Sequence, residues 1–146
     1  MIFRQSTQED LDFVKANPYE GSVKDYPYME VPNDNCYTAI FQDKIVGVGG
    51  TIIHWKGVAE VWLILTADCR KDGAHGLIAL GAIKDKMEEL LKINNIRRAQ
   101  ATVRADFPQA IRMIEFFGFE REGLLRQYCP DKGDAYRYAK IYDRVI

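Results

Sequence analysis

The stretch from Arg98 to Ile141 constrains the fold more than any other part of the chain. Within it, the run from Ala110 to Phe117 is amphipathic and is followed by Gly118, which predicts a helix that ends at this glycine. A strand carrying Glu-Gly-x-x-Arg, a turn with the sequence Pro-Asp-Lys-Gly and a last strand come next. The chain is therefore expected to end in a hairpin that follows directly on a helix.

The rest of the chain predicts further strands and helices. Ile2 to Arg4 is typical of a strand, and Ser6 with Glu9 forms a capping box that opens the first helix. Pro18 to Asn35 predicts a loop with one short helix. Then come three strands in hairpins, a helix, a buried strand and another helix, at 37–41, 45–53, 58–65, about 75–91, 99–103 and 107–117. This order predicts an α/β (α+β) fold with a mixed, mostly antiparallel central sheet flanked by helices.

Length, charge and cysteine usage exclude several classes of protein. With 146 residues, the chain is expected to form one domain. A formal net charge of −1 gives no reason to expect a nucleic acid or an anionic membrane as partner. No apolar run approaches the length of a membrane span, and the N-terminus lacks a signal-peptide pattern. The cysteines at 36, 69 and 129 have no Cys-x-x-Cys spacing, which predicts no metal site and a cytoplasmic location. The sequence leaves open whether the chain forms a homodimer.

The run Gly-Phe-x-x-Glu-Gly-x-x-Arg from Gly118 to Arg126, with the helix before it and the strands after it, resembles the GCN5-related N-acetyltransferases (GNAT). It is most similar to the branch that acetylates ribosomal-protein N-termini. The resemblance implies one GNAT domain over residues 1–146, acetyl-CoA as the cofactor, and an amine acceptor in a peptide N-terminus, a lysine or a small molecule. The alternative is a catalytically degenerate GNAT-like protein with a binding or structural role, as found among components of tailed phages.

The segment between Leu65 and the following helix is the candidate phosphate-binding turn, because a glycine-bearing loop that enters a helix presents free N–H groups to an anion. The family pattern there is Gln/Arg-x-x-Gly-x-Gly/Ala. Arg70 and Gly73 fit two fixed places, and His75 stands in the third, where its imidazole either donates to a phosphate or obstructs the loop. An ordinary strand-to-helix connection capped by Asp72 or a neighbour is the alternative. By resemblance, the cofactor contacts are Leu63, Ile64, Leu65, Arg70, Lys71, Gly73, Ala74, His75, Gly76 and Asp106.

The helix at 107–117 lacks the polar groups that the family uses. Phe107 stands where the family has an Asn, and Ile114 stands where it has the Tyr that protonates the departing thiolate. Ala110 occupies the place where the ribosomal-protein branch can use a Ser. Asp106 either contacts the cofactor or opens the helix as a capping box. These absences favour the non-catalytic alternative.

Glu60 is the candidate general base. The family often holds a Glu on this strand that takes a proton from the substrate amine, directly or through water, because an ammonium has no lone pair with which to attack. The alternative for Glu60 is a solvent-facing position on an antiparallel strand. His54, near the end of the preceding strand, is a second candidate base, and a structural or surface role is the alternative for it.

Two tyrosines of the C-terminal hairpin are candidates for the missing acid. A phenol with a pKa of about 10 can protonate a thiolate, and Tyr128 and Tyr138 lie near the place where the family binds its acceptor. Strand propensity and packing are the alternative explanation for both residues. Cys129 can be proposed as an acyl-carrying nucleophile, but the sequence offers no partner base for it.

Overall fold

The computed structural model describes residues 1–25, 34–70 and 73–143 of the chain. The strands are β1 (Ile2–Gln5), β2 (Cys36–Phe41), β3 (Lys44–Trp55), β4 (Val58–Leu65), β5 (Arg98–Arg104), β6 (Glu120–Leu125) and β7 (Ala135–Ile141), and the α-helices are α1 (Gln8–Ala16), α2 (Gly73–Ile93) and α3 (Pro108–Phe116). Single 3₁₀ turns span Gly21–Asp25 and Ala67–Arg70. The strands form one sheet in the order β1-β2-β3-β4-β5-β7-β6, in which β4 and β5 are parallel. The predicted mixed sheet with flanking helices is confirmed.

The residues group into two compact units. The first comprises Met1–Ile52 and Trp62–Leu90, and the second comprises Ile53–Val61 and the chain from Leu91 onward. Two cysteines with described side chains are free and buried: Cys36 in the first unit and Cys129 in the second. None of the described helices is both long enough and apolar enough to cross a membrane. A single domain over residues 1–146 stays a prediction.

In the first unit, α1 begins one residue later than the sequence predicts. Its N-cap is Thr7, whose side chain accepts a hydrogen bond from the N–H of Asp10 while the Asp10 carboxylate accepts one from the N–H of Thr7. The predicted capping box of Ser6 and Glu9 is therefore wrong, because the Ser6 hydroxyl bonds the hydroxyl of Thr38 on β2 instead.

The core of the first unit lies where α1 meets the sheet. Leu11 and Val14 are three positions apart and therefore lie on one face of α1. Both are buried in one cluster with Cys36 of β2 and Val48 of β3. Gly50 of β3 passes close to another segment: a Cβ there would lie 2.3 Å from the carbonyl oxygen of Asn35. A glycine generally weakens a strand, but at this position the close approach of two backbones leaves no room for a side chain.

In the second unit, β5 separates an apolar face from a polar one. Ala99, Ala101 and Val103 are buried, and the residues between them are half-buried. The β5–β7 register pairs Ala101 with Tyr138, so Tyr138 lies on the apolar face. It also pairs Thr102 with Arg137, so Arg137 lies on the polar face with Gln100. The candidate functional side chains of this unit are therefore divided between two faces of the sheet.

Candidate active site

A cluster of polar side chains surrounds Glu60 on the polar face of the second unit. Glu60 is opposite Gln100 in the parallel β4–β5 register, and the Gln100 amide donates to Glu60 Oε2 over 2.9 Å. The guanidinium of Arg137 donates to both carboxylate oxygens, at 2.8 and 3.1 Å. The Glu60 side chain is 22% exposed, so it is accessible to a small solute although it is well bonded. Arg137 and Glu60 form a charge-assisted, hydrogen-bonded pair.

His54 completes the cluster from the end of β3. Its Nε2 lies 3.3 Å from Glu60 Oε2, and its side chain is 35% exposed. The ring also contacts Trp55, with 5.9 Å between the ring centroids. The turn through Gly57, which has a φ of 88°, lies between His54 and Glu60 in the chain. Both candidate bases that the sequence indicated are therefore joined by one hydrogen bond.

The cluster extends along the polar face to β6. Arg98 donates to the Gln100 amide oxygen at 3.1 Å, and forms two hydrogen bonds with Glu122, at 2.6 and 3.0 Å. The β6–β7 register skips Glu122, which marks a β-bulge. Hydrogen bonds from Arg98 lower the pKa of Glu122. Arg98 therefore holds the Gln100 amide, which in turn bonds Glu60. This network favours a fixed orientation of the Glu60 carboxylate.

Tyr138 lies on the face opposite Glu60 and is fully buried. Its hydroxyl donates to Glu115 of α3 over 2.8 Å and accepts from Arg121 of β6 at 3.1 and 3.2 Å. Burial is the main cause that raises the pKa of Tyr138, so the phenol stays protonated. Tyr128, in contrast, is 51% exposed in the connection between β6 and β7. The structure brings neither tyrosine to the cluster around Glu60.

Asp106 does not cap α3. The N-cap is Phe107, which makes no side-chain capping bond, so the predicted capping box is wrong. The Asp106 carboxylate instead accepts two hydrogen bonds from Arg104, at 3.0 and 3.1 Å, and Arg104 also binds Asp131. These bonds raise the pKa of Arg104 and lower that of Asp106. The pair with Arg104 takes the place of the hydrogen bond that a backbone N–H of α3 would donate to an Asp106 cap.

The remaining predicted cofactor contacts lie in the first unit. Leu63, Ile64 and Leu65 form the end of β4, beyond the last position of the β4–β5 register at Glu60. Arg70 ends the 3₁₀ turn, and Gly73, Ala74, His75 and Gly76 form the first turn of α2, two residues earlier than the sequence predicts. Lys71 lies outside the described residues. In the described part of the chain, no group of His, Cys, Asp or Glu side chains is arranged to hold a metal ion.

Several solved structures share this architecture over nearly the whole chain. Ard1 from Thermoplasma volcanium matches with a TM-score of 0.73 and 16% identity, over 97% of each chain. Ribosomal-protein-alanine N-acetyltransferase from Brucella melitensis matches with a TM-score of 0.70 and 16% identity, over 97% of this chain and 100% of that one. The chain has the GNAT fold. A chimaera of spermidine N-acetyltransferase SpeG from Vibrio cholerae and hSSAT gives a TM-score of 0.70 at 16% identity, over 97% and 96% of the two chains. No protein-family model matches the sequence, and no curated protein matches it significantly.

Within this GNAT fold, sequence reasoning missed the partners of Glu60. Arg137 and Gln100 are 77 and 40 residues away from Glu60 along the chain, and no local spacing connects them to it. A signal was present in the alternation of β5, whose polar positions share one face with Glu60 if β4 and β5 are paired in parallel. The register, which the sequence does not fix, decides which polar residues meet.

Proposed function

We propose that this protein transfers an acetyl group from acetyl-CoA to an amine, in a peptide N-terminus, a lysine or a small molecule. One observation carries the proposal: a partly exposed Glu60, fixed by Arg137 and Gln100, lies on β4 of a GNAT fold. Two of the proteins of similar structure named above are a ribosomal-protein-alanine N-acetyltransferase and a chimaera of a spermidine N-acetyltransferase.

We propose the first turn of α2 and the end of β4 as the acetyl-CoA site. A helix of 21 residues that begins at Gly73 directs unpaired backbone N–H groups at an anion, and its first turn contains no acidic residue to repel a phosphate. This fits the pyrophosphate of coenzyme A. In this proposal, Arg70 and the backbone from Gly73 to Gly76 hold the phosphates, and the backbone of Leu63 to Leu65 holds the pantetheine arm.

The chemistry requires a neutral amine beside an acetyl thioester. When bound, acetyl-CoA supplies that thioester, and the protein supplies position and proton transfer. Holding two reactants in the correct orientation can lower the barrier by about 7–11 kcal/mol. In the simplest form of the proposal, Glu60 removes the proton of the ammonium through a water molecule. Tyr128 or solvent returns a proton to the thiolate. Tyr138 is proposed as a structural residue, because it already donates its hydroxyl proton to Glu115.

Calorimetric titration of acetyl-CoA into the purified protein tests the cofactor site, with His75→Gly titrated alongside. Micromolar binding to the natural protein supports the proposal. Binding that only His75→Gly restores would mean that the imidazole obstructs the phosphate turn. The acceptor is then sought by measuring thiol release from acetyl-CoA with spermidine and with a peptide that begins with alanine. No acetyl-CoA binding in either protein would refute the proposal.

The non-catalytic alternative has one specific observation in its favour. Ile114, which replaces the family's catalytic Tyr, is buried in α3, so this helix offers no acid from that position. A binding or structural protein with the GNAT fold would bind acetyl-CoA weakly or not at all and would release no thiol with any acceptor. Cytoplasmic location, a single domain and a homodimer stay predictions, and size-exclusion chromatography with light scattering tests the last of them.

A further inference from the structure

We propose that His54 is the residue that takes the proton from the acceptor amine, and that Glu60 is its positioning partner. The proposal rests on the acetyl transfer proposed above. It differs from the simplest form of that transfer, in which Glu60 itself removes the proton of the ammonium. It would add a carboxylate–imidazole pair, built across the β3–β4 turn, to the catalytic machinery. Similarity of fold does not by itself assign proton removal to His54 or a positioning role to Glu60.

The hydrogen bonds of Glu60 occupy most of the acceptor positions of its carboxylate. A carboxylate has two oxygens with about four lone-pair positions. Oε1 accepts from Arg137, and Oε2 accepts from Arg137, Gln100 and His54. A proton on Oε2 would break at least one of these bonds, and a proton on either oxygen would leave the Arg137 guanidinium beside a neutral acid. The arrangement favours a carboxylate that orients its neighbours.

The same contacts fix the tautomer of His54. An ionised carboxylate can only accept hydrogen bonds, so the Nε2 that faces Glu60 Oε2 must carry the hydrogen. The lone pair of a neutral imidazole then lies on Nδ1. Among the described residues, none bonds Nδ1, and the side chain is 35% exposed. The Nδ1 atom of His54 is therefore free to accept a proton. The Glu60 carboxylate, bonded to Nε2, stabilises the imidazolium that then forms.

The proton transfer is balanced within the cluster. The N–H bond of the acceptor ammonium breaks, a new N–H bond forms at Nδ1 of His54, and the electron pair stays on the amine nitrogen. The amine can then attack the carbonyl carbon of the thioester. The C–S bond breaks, the nitrogen of the new amide releases its second proton to solvent, and the departing thiolate takes a proton from solvent. The charged groups that face the imidazole are Glu60 and, across its carboxylate, Arg137. The pair of Arg98 and Glu122 lies further along the same face.

The tautomer is measurable without cofactor or acceptor. The chain has only two histidines, so long-range proton–nitrogen NMR spectra contain two imidazoles, and His75→Gln identifies the signals of His54. We expect His54 to carry its hydrogen on Nε2, and the fraction of this tautomer to fall in Glu60→Leu, which cannot accept a hydrogen bond. Thermal unfolding confirms that this variant is folded at the temperature of the spectra. Protonation of His54 on Nδ1 in the natural protein would overturn the proposal.

Steady-state kinetics tests the role itself, with acetyl-CoA and the acceptor that gives the highest thiol release. His54→Gln can still donate to Glu60 but cannot take a proton. We expect it to lower kcat by about 10²-fold or more and to remove the fall of kcat toward acid pH, with unchanged affinity for acetyl-CoA. Glu60→Gln should lower kcat by less and keep that fall. Lys56→Gln, on the same turn, is the control and should retain the natural rate.

Imidazole added to His54→Ala should restore part of the rate, whereas it should not restore Glu60→Ala. If His54→Gln keeps the natural rate and Glu60→Gln loses the fall toward acid pH, Glu60 is the base and this inference is wrong while the proposed function stands. If the natural protein neither binds acetyl-CoA nor releases thiol, the proposed function fails and this inference fails with it.

Discussion

The replacement Asp10→Asn tests how a single buried carboxylate stabilises the first unit. Asp10 is 5% exposed and accepts hydrogen bonds from the guanidinium of Arg4 on β1, from the hydroxyl of Thr38 on β2 over 2.9 Å, and from the N–H of Thr7 over 3.0 Å. One side chain therefore joins the start of α1 to two strands. Asparagine keeps the shape of the side chain and removes its charge.

The pKa of Asp10 gives the magnitude of this effect. Burial alone would raise that pKa, but the bonds from Arg4, Thr7 and Thr38 outweigh burial and lower it from 3.8 to about 2. At about 1.36 kcal/mol for each pKa unit, the ionised carboxylate stabilises the folded state by about 2 kcal/mol. Because the pKa is lower in the folded state, this stability is present above about pH 4 and is lost as the pH falls toward about 2.

Urea unfolding, followed by circular dichroism at several pH values, measures the effect. We expect Asp10→Asn to lower the free energy of unfolding by about 2 kcal/mol at neutral pH, and the difference from the natural protein to shrink toward zero near pH 2. Asp12→Asn is the matched control, because Asp12 is on the same helix and exposed, with one bond from Gln8. A difference for Asp10→Asn that stays constant across the pH range would refute the reasoning.

Two further substitutions separate structural roles from catalytic ones. Tyr138→Phe should lower the free energy of unfolding by about 1 kcal/mol, because Glu115 loses a buried donor, while kcat stays within about twofold; a large loss of kcat in a fully stable variant would instead make Tyr138 the acid. Gly118→Ala should cost about 1 kcal/mol or more in a stability measurement, because Gly118 has a φ of 93° and its Cβ would lie 2.9 Å from Lys140 Nζ. Gly123→Ala is the control, since no atom lies within 4 Å of its Cβ, and equal losses in both variants would contradict this explanation.

The cap of α1 illustrates how far the sequence determines local structure. Ser6 with Glu9 and Thr7 with Asp10 both satisfy the spacing of a capping box, so the sequence could predict the helix but not the residue at which it starts. The choice is made by the sheet, because Arg4 and Thr38 bind Asp10. By contrast, the bounds of β4, Val58–Leu65, were predicted without error, since a turn and a strand pattern mark them locally.

The candidate site was less predictable for a related reason. The type of residue at Glu60 and His54 indicated proton transfer, but their mutual contact and the role of Arg137 depend on strand register and on pairing with β7. Asp106 is a different case, because its partner Arg104 is only two residues earlier, and Arg104 competes with the helix terminus for its carboxylate. Local pattern fixes an element, and long-range pairing fixes the partner of a side chain.

The buried cysteines give each compact unit its own chemical reporter. Burial raises the pKa of the Cys36 thiol, and a thiol reagent can reach it only when the first unit opens locally. Cys129 reports in the same way on the second unit. With Cys69 replaced by serine, the two labelling rates measure two local opening equilibria in one molecule. Equal rates would mean that both units open in one cooperative event, and unequal rates would identify the unit that opens on its own.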